Sequence, residues 1–252
     1  MPSATEREFF GTAIAPKTFT QWCEFIHDSL KKGERGKLAA SHNLHSVYLR
    51  QRDPKMNAFY ARCDDCYIDG KPVRWLLRGF GRKTSRDCRF SLMDHFEHLL
   101  AWAQHNQLKL FYLGSAMDVV ELSRSRIAQQ YPQLDIHLQH GYFQDSKQMV
   151  RDINAQRPDL LLVGMGMPNQ EQFLIAHLDQ LDIGWATHCG ATLDYYTGAQ
   201  ARPPAWISRA GLAWLYRLLY DPVRLWQRYL LEPWQLLTPT VRALRTHRRL
   251  HK

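Results

Sequence analysis

Four hydrogen-bonding side chains in succession, Asn169, Gln170, Glu171 and Gln172, follow a Gly164-Met165-Gly166-Met167-Pro168 turn. Apolar Leu160 to Val163 lead into it. A buried strand that turns through two glycines and restarts as a helix near a proline is an α/β ligand site. Glycine lets backbone approach a bound group, and a helix start offers free N–H groups to an anion. The turn is not a dinucleotide fingerprint, because Asn169 stands where G-x-G-x-x-G has its third glycine. A nicotinamide-type oxidoreductase would also need a ribose-binding acid about 20 residues on; Asp182 is near, but follows a helix.

Other candidates are sparser. Asp69-Gly70 ends a short apolar strand and by itself reads as a turn. Cys63-Asp64-Asp65-Cys66 is the sole C-x-x-C, and no second pair completes a zinc site, although His42 and His45 could help. Five cysteines, an odd number, point to a reducing compartment rather than a disulfide scaffold. No Asp-x-Asp occurs, and no metal or cofactor is expected.

The elements that must position these residues alternate. Helical periodicity covers 19–30, 47–60, 92–106, 119–131, 146–156 and 170–178. Strand-like runs cover 36–40, 66–68, 108–113, 134–138, 160–163 and 184–188. This predicts an α/β fold: a mostly parallel, Rossmann-like sheet with helices on both faces. Ligands then sit beyond the carboxyl ends of the strands. There topology collects Ser41, His42, Asn43, Asp69, Gly114, His140, Gly164, Gly166, Gln170, Glu171, Cys189 and Gly190.

The 252-residue chain carries a formal charge of +9. Residues 200–252 hold ten basic residues against two acids, an excess of eight, so the rest is near neutral. Two units are expected: a catalytic α/β domain over 1–200 and a basic amphipathic helical appendage over 201–252. Short helices are expected over 206–219, 222–231 and 233–244, two of them opened by proline. No uncharged run approaches the ~20 residues needed to span a bilayer. Trp, Tyr and Leu interleaved with Arg fit an interfacial membrane element, and a plain packing element is the alternative. No nucleic-acid module is visible. The start, Met1 to Glu8, has no signal-peptide pattern.

Taken together, the motifs resemble the WecG/TagA/CpsF glycosyltransferases (glycosyltransferase family 26). Val163 to Glu171 resembles the family's V-G-x-G-x-P-x-Q-E. Ser41-His42-Asn43 stands at its Thr-x-Asn, and Ile68-Asp69-Gly70 at its Asp-Gly. Arg89 to Asp94 resembles R-x-T-x-x-D, and His140 to Phe143 matches His-Gly-Tyr-Phe. Gly190 to Gly198 resembles G-x-x-x-D-x-x-x-G. Arg202 to Trp206 departs slightly from R-A-P-x-W, and Gly211 to Leu218 resembles G-L-E-W-x-x-R-L with alanine for glutamate.

The resemblance implies inverting transfer of a sugar from a nucleotide-diphosphate donor, expected to be a UDP-sugar. The acceptor would be a polyprenyl-diphosphate-linked saccharide at the cytoplasmic face of a bacterial inner membrane, for cell-surface or exopolysaccharide assembly. It implies that Asp69 is the base, with Asp94 and Asp194 as alternatives and Asp94 expected to bridge to Arg89. Ser41, Asn43, Arg89, Asp94, Gly114, His140, Gly164, Gly166, Gly190 and Asp194 are then substrate contacts. Gln170 and Glu171 would bind sugar hydroxyls or the nucleotide. Arg217, Arg224 and Arg228 would meet the diphosphate, lipid headgroups or both. The Arg89–Asp94 form and the Cys189-Gly190 context lean towards a glucose-transferring, xanthan-type enzyme. The rivals are a nicotinamide-type oxidoreductase and a non-enzymatic membrane-docking scaffold; calorimetry with nucleotide sugars and nicotinamide cofactors separates them.

Overall fold

The structure is a computed structural model that describes residues 1–202, 204, 207 and 212–250, without the side chain of Arg224. Among the described residues, six strands form one sheet: β1 (Lys37–His42), β2 (Asp65–Ile68), β3 (Leu110–Gly114), β4 (Ile136–Gln139), β5 (Leu160–Gly164) and β6 (Trp185–His188). Their order is β2-β1-β6-β5-β3-β4, and every neighbouring pair is parallel. All six carboxyl ends therefore lie on one edge.

Side-chain alternation divides the core. Leu161 and Val163 of β5 join Phe111, Leu113 and Ala186 on one face, while Leu160 and Leu162 join Leu110, Tyr112 and Trp185 on the other. Both faces are covered, which is why these strands read as continuous apolar runs.

The helices are α1 (Ala4–Phe10), α2 (Phe19–Lys31), α3 (Leu44–Arg50), α4 (Pro54–Arg62), α5 (Lys71–Gly79), α6 (Leu92–His105), α7 (Met117–Gln130), α8 (Ser146–Gln156), α9 (Asn169–His177) and α10 (Thr192–Thr197). The single helix expected over 47–60 is two. Asp53 caps the second through the Lys55 N–H, and Pro54 at its first position has no N–H to continue the helix before it.

The tail comprises α11 (Ala213–Tyr220), α12 (Pro222–Trp226), a π-helical turn over Gln227–Leu231 and α13 (Glu232–Leu250). The helix expected to end at Leu244 runs on to Leu250, through Pro239. An interior proline costs a helix about 3 kcal/mol. Here α13 is anchored on both sides of it: Leu236 is buried in the core, and Leu244 packs on Gly79. Glu232 meets His45 Nδ1 at 2.7 Å, and His247 meets Ser3 Oγ at 3.1 Å. No described helix is long and apolar enough to cross a membrane.

Candidate active site

The parallel sheet delivers Asn43 from β1, Asp69 from β2, Ser115 from β3, His140 from β4, Gly164 from β5 and Gly190 from β6 to one edge. Three of these ends form a floor of bare backbone. A Cβ on Gly114 would lie 2.3 Å from the Gly164 carbonyl oxygen. One on Gly164 would lie 2.6 Å from the Gly190 carbonyl oxygen and 2.2 Å from the Tyr112 hydroxyl. Only glycine permits that approach. Gly166, at φ +76°, turns the chain after β5 into open space, and the Met167-Pro168 peptide is cis.

Asp69 sits half-buried at the wall. Asn43 caps α3 through the Ser46 N–H and donates from Nδ2 to Asp69 Oδ2 at 3.4 Å. A lone parallel bridge sets Arg89 beside Ile68. Loss of solvent raises the Asp69 carboxyl pKa above its ordinary value; Asp94 adds to the rise, while Asn43, Arg217 and Arg89 oppose it. The structure thus brings together Asn43, Asp69, Arg89, Asp94 and Arg217, from four separate stretches of chain.

Arg89 and Asp94 form no ion pair among the described residues, contrary to expectation. The backbone bridge sets Arg89 beside the end of β2, and both charges act on Asp69 instead. Arg217 stands 5.4 Å over the Tyr195 ring, with its Nε buried and unpartnered. Burial works against its charge, yet Tyr195, Tyr229 and Asp69 hold its pKa above the usual value.

Gln170 and Glu171 differ from expectation. They are 2% and 0% exposed, folded under the turn rather than into the cleft. His188 Nε2 accepts from the Ser41 N–H at 2.8 Å, so its proton lies on Nδ1, which donates to Glu171 Oε1 at 2.6 Å. Gln170 Nε2 donates to the same oxygen at 2.8 Å, and Gln170 Oε1 accepts from the Gly190 N–H at 3.1 Å. Tyr60 donates to the Ser41 carbonyl at 2.9 Å. Glu171 is the hub of a buried network that fixes Ser41 and Gly190.

His188 and Tyr60 were missed in the sequence. His188 ends a strand like any buried residue, and only its position after Thr187 at a strand terminus marked it.

The other candidates fall into place around this frame. Asp194 accepts from Ser115 Oγ at 2.8 Å, beside the glycine floor. His140 Nδ1 accepts from the Tyr142 N–H at 3.2 Å on the rim. Arg228 lies in the π-helical turn, 5.9 Å over Tyr229; the Arg224 side chain, like Gly211 and Trp206, is outside the described residues.

His42 and Cys189 are at the right edge but buried away from chemistry. Burial lowers the His42 pKa to about 3 and raises the Cys189 thiol to about 12. Cys63 and Cys66 are likewise pushed well up by burial. No group of three His, Cys, Asp or Glu arranged to hold a metal exists among the described residues.

A sequence model of the WecG/TagA/CpsF glycosyl transferase family matches residues 7–250. The chain belongs to that family. It is a glycosyltransferase, and its relatives in the family are consistent in kind. An N-acetylglucosaminyldiphosphoundecaprenol N-acetyl-beta-D-mannosaminyltransferase of Bacillus spizizenii is 27% identical over 215 residues, 85% of this chain and 82% of that protein. The Bacillus subtilis (strain 168) protein of the same name is 32% identical over 151 residues, 60% and 59% of the two chains. A third of that name, from Staphylococcus aureus (strain NCTC 8325 / PS 47), is 32% identical over 137 residues, 54% and 52%. In this WecG/TagA/CpsF member the matched span takes in the floor, the buried network and the tail helices alike.

Proposed function

We propose that this glycosyltransferase moves a sugar, with inversion, from a nucleotide-diphosphate donor to a polyprenyl-diphosphate-linked saccharide, and that Asp69 is its base. The observation that carries this is the convergence of Asn43, Arg89, Asp94 and Arg217 on one carboxyl of raised pKa. A base works best when its pKa moves towards the operating pH. Asp69 takes the proton of the acceptor hydroxyl as its oxygen bonds to the anomeric carbon, and the bond from that carbon to the diphosphate oxygen breaks. Negative charge then grows on the leaving diphosphate. Arg217 and the backbone N–H groups of the open turn around Gly166 are the donors placed to meet it. Ser41, Gly114, Gly164 and Gly190 shape the floor; Asp194 and His140 stand where sugar or nucleotide hydroxyls would lie.

The relatives' names carry an undecaprenyl-diphosphate-linked N-acetylglucosamine acceptor and an N-acetylmannosaminyl group. They support a lipid-linked acceptor and lend the glucose expectation no support. The basic tail, with Trp214, Trp226 and Trp234 exposed among arginines, supports peripheral attachment at the cytoplasmic membrane face, where such an acceptor resides. Residues 201–252 are then a membrane-docking unit that shares the core through Leu236.

Calorimetry with UDP-N-acetylmannosamine and UDP-glucose, followed by turnover on a lipid-linked acceptor, tests the reading. Binding of one donor and loss of turnover by roughly 10²–10⁴-fold in Asp69→Asn are expected. Full turnover by Asp69→Asn would remove it as base, and a product that keeps the donor's anomeric configuration would overturn inversion.

A further inference from the structure

The first 199 residues are near neutral only on average. Between Lys71 and Arg89 stand seven basic residues, Lys71, Arg74, Arg78, Arg82, Lys83, Arg86 and Arg89, against one acid, Asp87. This stretch is α5 and the loop after it. Among the described residues only Arg82 of the seven makes an ion pair, with buried Glu6 at 2.9 Å. Arg78, Lys83 and Arg86 are exposed. In the middle of α5, Trp75 is 60% exposed, while Val73 and Leu77 on the opposite face are in the core. A large indole left in water among unpaired cations has no folding purpose.

Its place in the fold supplies one. Trp75 and Gly79 are four residues apart and share a helix face. Gly79 lies against Leu244 of α13: a Cβ there would be 3.0 Å from Leu244 Cδ2. One residue on, Phe80 meets the His247 ring edge-on at 5.4 Å. Trp75 therefore stands one helical turn before the Gly79–Leu244 contact between α5 and α13. From Leu244, at spacings of three and four, Val241, Leu237 and Trp234 run back along α13, all exposed. Arg242, Arg245, Arg248 and Arg249 flank them, also exposed. Exposed apolar side chains and positive charge thus stand on both sides of the Gly79–Leu244 contact.

We infer that α5 and its following loop form a second docking surface for an anionic lipid bilayer, on the catalytic body itself and contiguous with the tail. Indole at the interface and arginines at headgroups is the chemistry of a membrane-lying helix. The geometry also has a catalytic sense. Gly70 is the N-cap of α5, so Asp69 is one residue from the start of this surface. Bringing α5 to the lipid sets the carboxyl beside the headgroup layer, where a lipid-borne saccharide ends. Attachment through the tail alone would leave the orientation of the cleft free, whereas two joined surfaces fix it.

This rests on the membrane reading of the tail, and flotation of the full chain tests the two separately. Vesicles of phosphatidylcholine with and without phosphatidylglycerol are the probe. The variant is Arg78→Gln, Lys83→Gln, Arg86→Gln together, none of which faces Asp69. At about 1 kcal/mol per basic residue near an anionic surface, it should bind phosphatidylglycerol vesicles roughly a hundredfold more weakly. Trp75→Ala should weaken binding to both vesicle types. In detergent, with a short-chain acceptor, both variants should turn over as the wild type does, which also shows that they fold. If the wild type floats and the triple variant floats equally, α5 is not a docking surface and the tail reading stands. If the wild type does not float, both readings fall. Equal loss of turnover in detergent would assign these residues to the cleft and overturn the inference.

Discussion

Replacing Glu171 with leucine decides what the polar run after the glycine turn is for. The side chain has no exposed surface, and its Oε1 accepts from His188 Nδ1 and from Gln170 Nε2. Leucine fills nearly the same space and accepts nothing. Two buried donors lose their partner, at roughly 1–3 kcal/mol each, so the loss is about 2–6 kcal/mol. A domain's whole stability is about 5–15 kcal/mol. At roughly 2–4 °C per kcal/mol for a chain of this size, the melting temperature should fall by about 5–20 °C. Glu171→Gln keeps an oxygen for His188 and should lose only about 1 kcal/mol. Thermal melts of both variants, with donor titrations at a temperature where each is folded, read the difference. A folded Glu171→Gln should bind donor as the wild type does, since the carboxyl does not reach the cleft. Were Glu171→Leu to melt with the wild type yet fail to bind donor, Glu171 would be a ligand contact and the buried hub would be wrong.

The acid limb of kcat/KM should lie above the ordinary carboxylate range, because Asp69 must lose a proton that burial makes it hold; Arg217→Gln should move the limb to higher pH, since Arg217 lowers that pKa. A limb unmoved by Arg217→Gln would separate the tail arginine from the base. His42, neutral in the fold with a pKa of about 3 against 6.5 when unfolded, contributes stability above pH ~6.5 that is lost as the pH falls towards 3; chemical denaturation across that window should show a steeper decline for the wild type than for His42→Gln. Gly114→Ala should destabilise by about 1–3 kcal/mol or more, because the atoms its Cβ meets are backbone and cannot swing aside; an unchanged urea midpoint would refute the close floor. His45→Ala leaves Glu232, 6% exposed, without its imidazole partner, and hydrogen exchange should rise first in the opening turns of α13.

Much of this architecture was legible because parallel strands buried on both faces carry unbroken apolar runs. Leu160 to Val163 could be read that way without partners, and the order of such runs with helices implied one carboxyl edge. What escaped had a local disguise. Phe9 and Phe10 of α1 sit behind a polar, acidic start, and the basic residues of α5 masked the buried Val73 and Leu77. Apolar periodicity ran on across Asp53-Pro54, so two helices looked like one. Asn43 and Asp69 were legible as strand-end residues, and Arg89 only through motif order; the lone Asp-Gly by itself read as a turn. Gln170 and Glu171 were placed in the cleft because they follow the end of a strand and stand in the family's motif. Nothing local showed that His188, at the end of β6, would draw them inward.

The glycine floor has a bearing on how donor preference can change. A Cβ on Gly114 or Gly164 would run into the neighbouring strand end, so a side chain at either pries the sheet apart before it touches a sugar, whereas one on Gly190, at φ +58°, meets open space but a strained backbone. Variation that keeps the protein folded is easier at the borders of the cleft, such as the His140–Tyr142 corner and the Ser115–Asp194 pair. On the proposed site, changes of sugar selectivity are expected at its margins. A library meant to retarget the enzyme should leave the base of the cleft untouched and diversify that border.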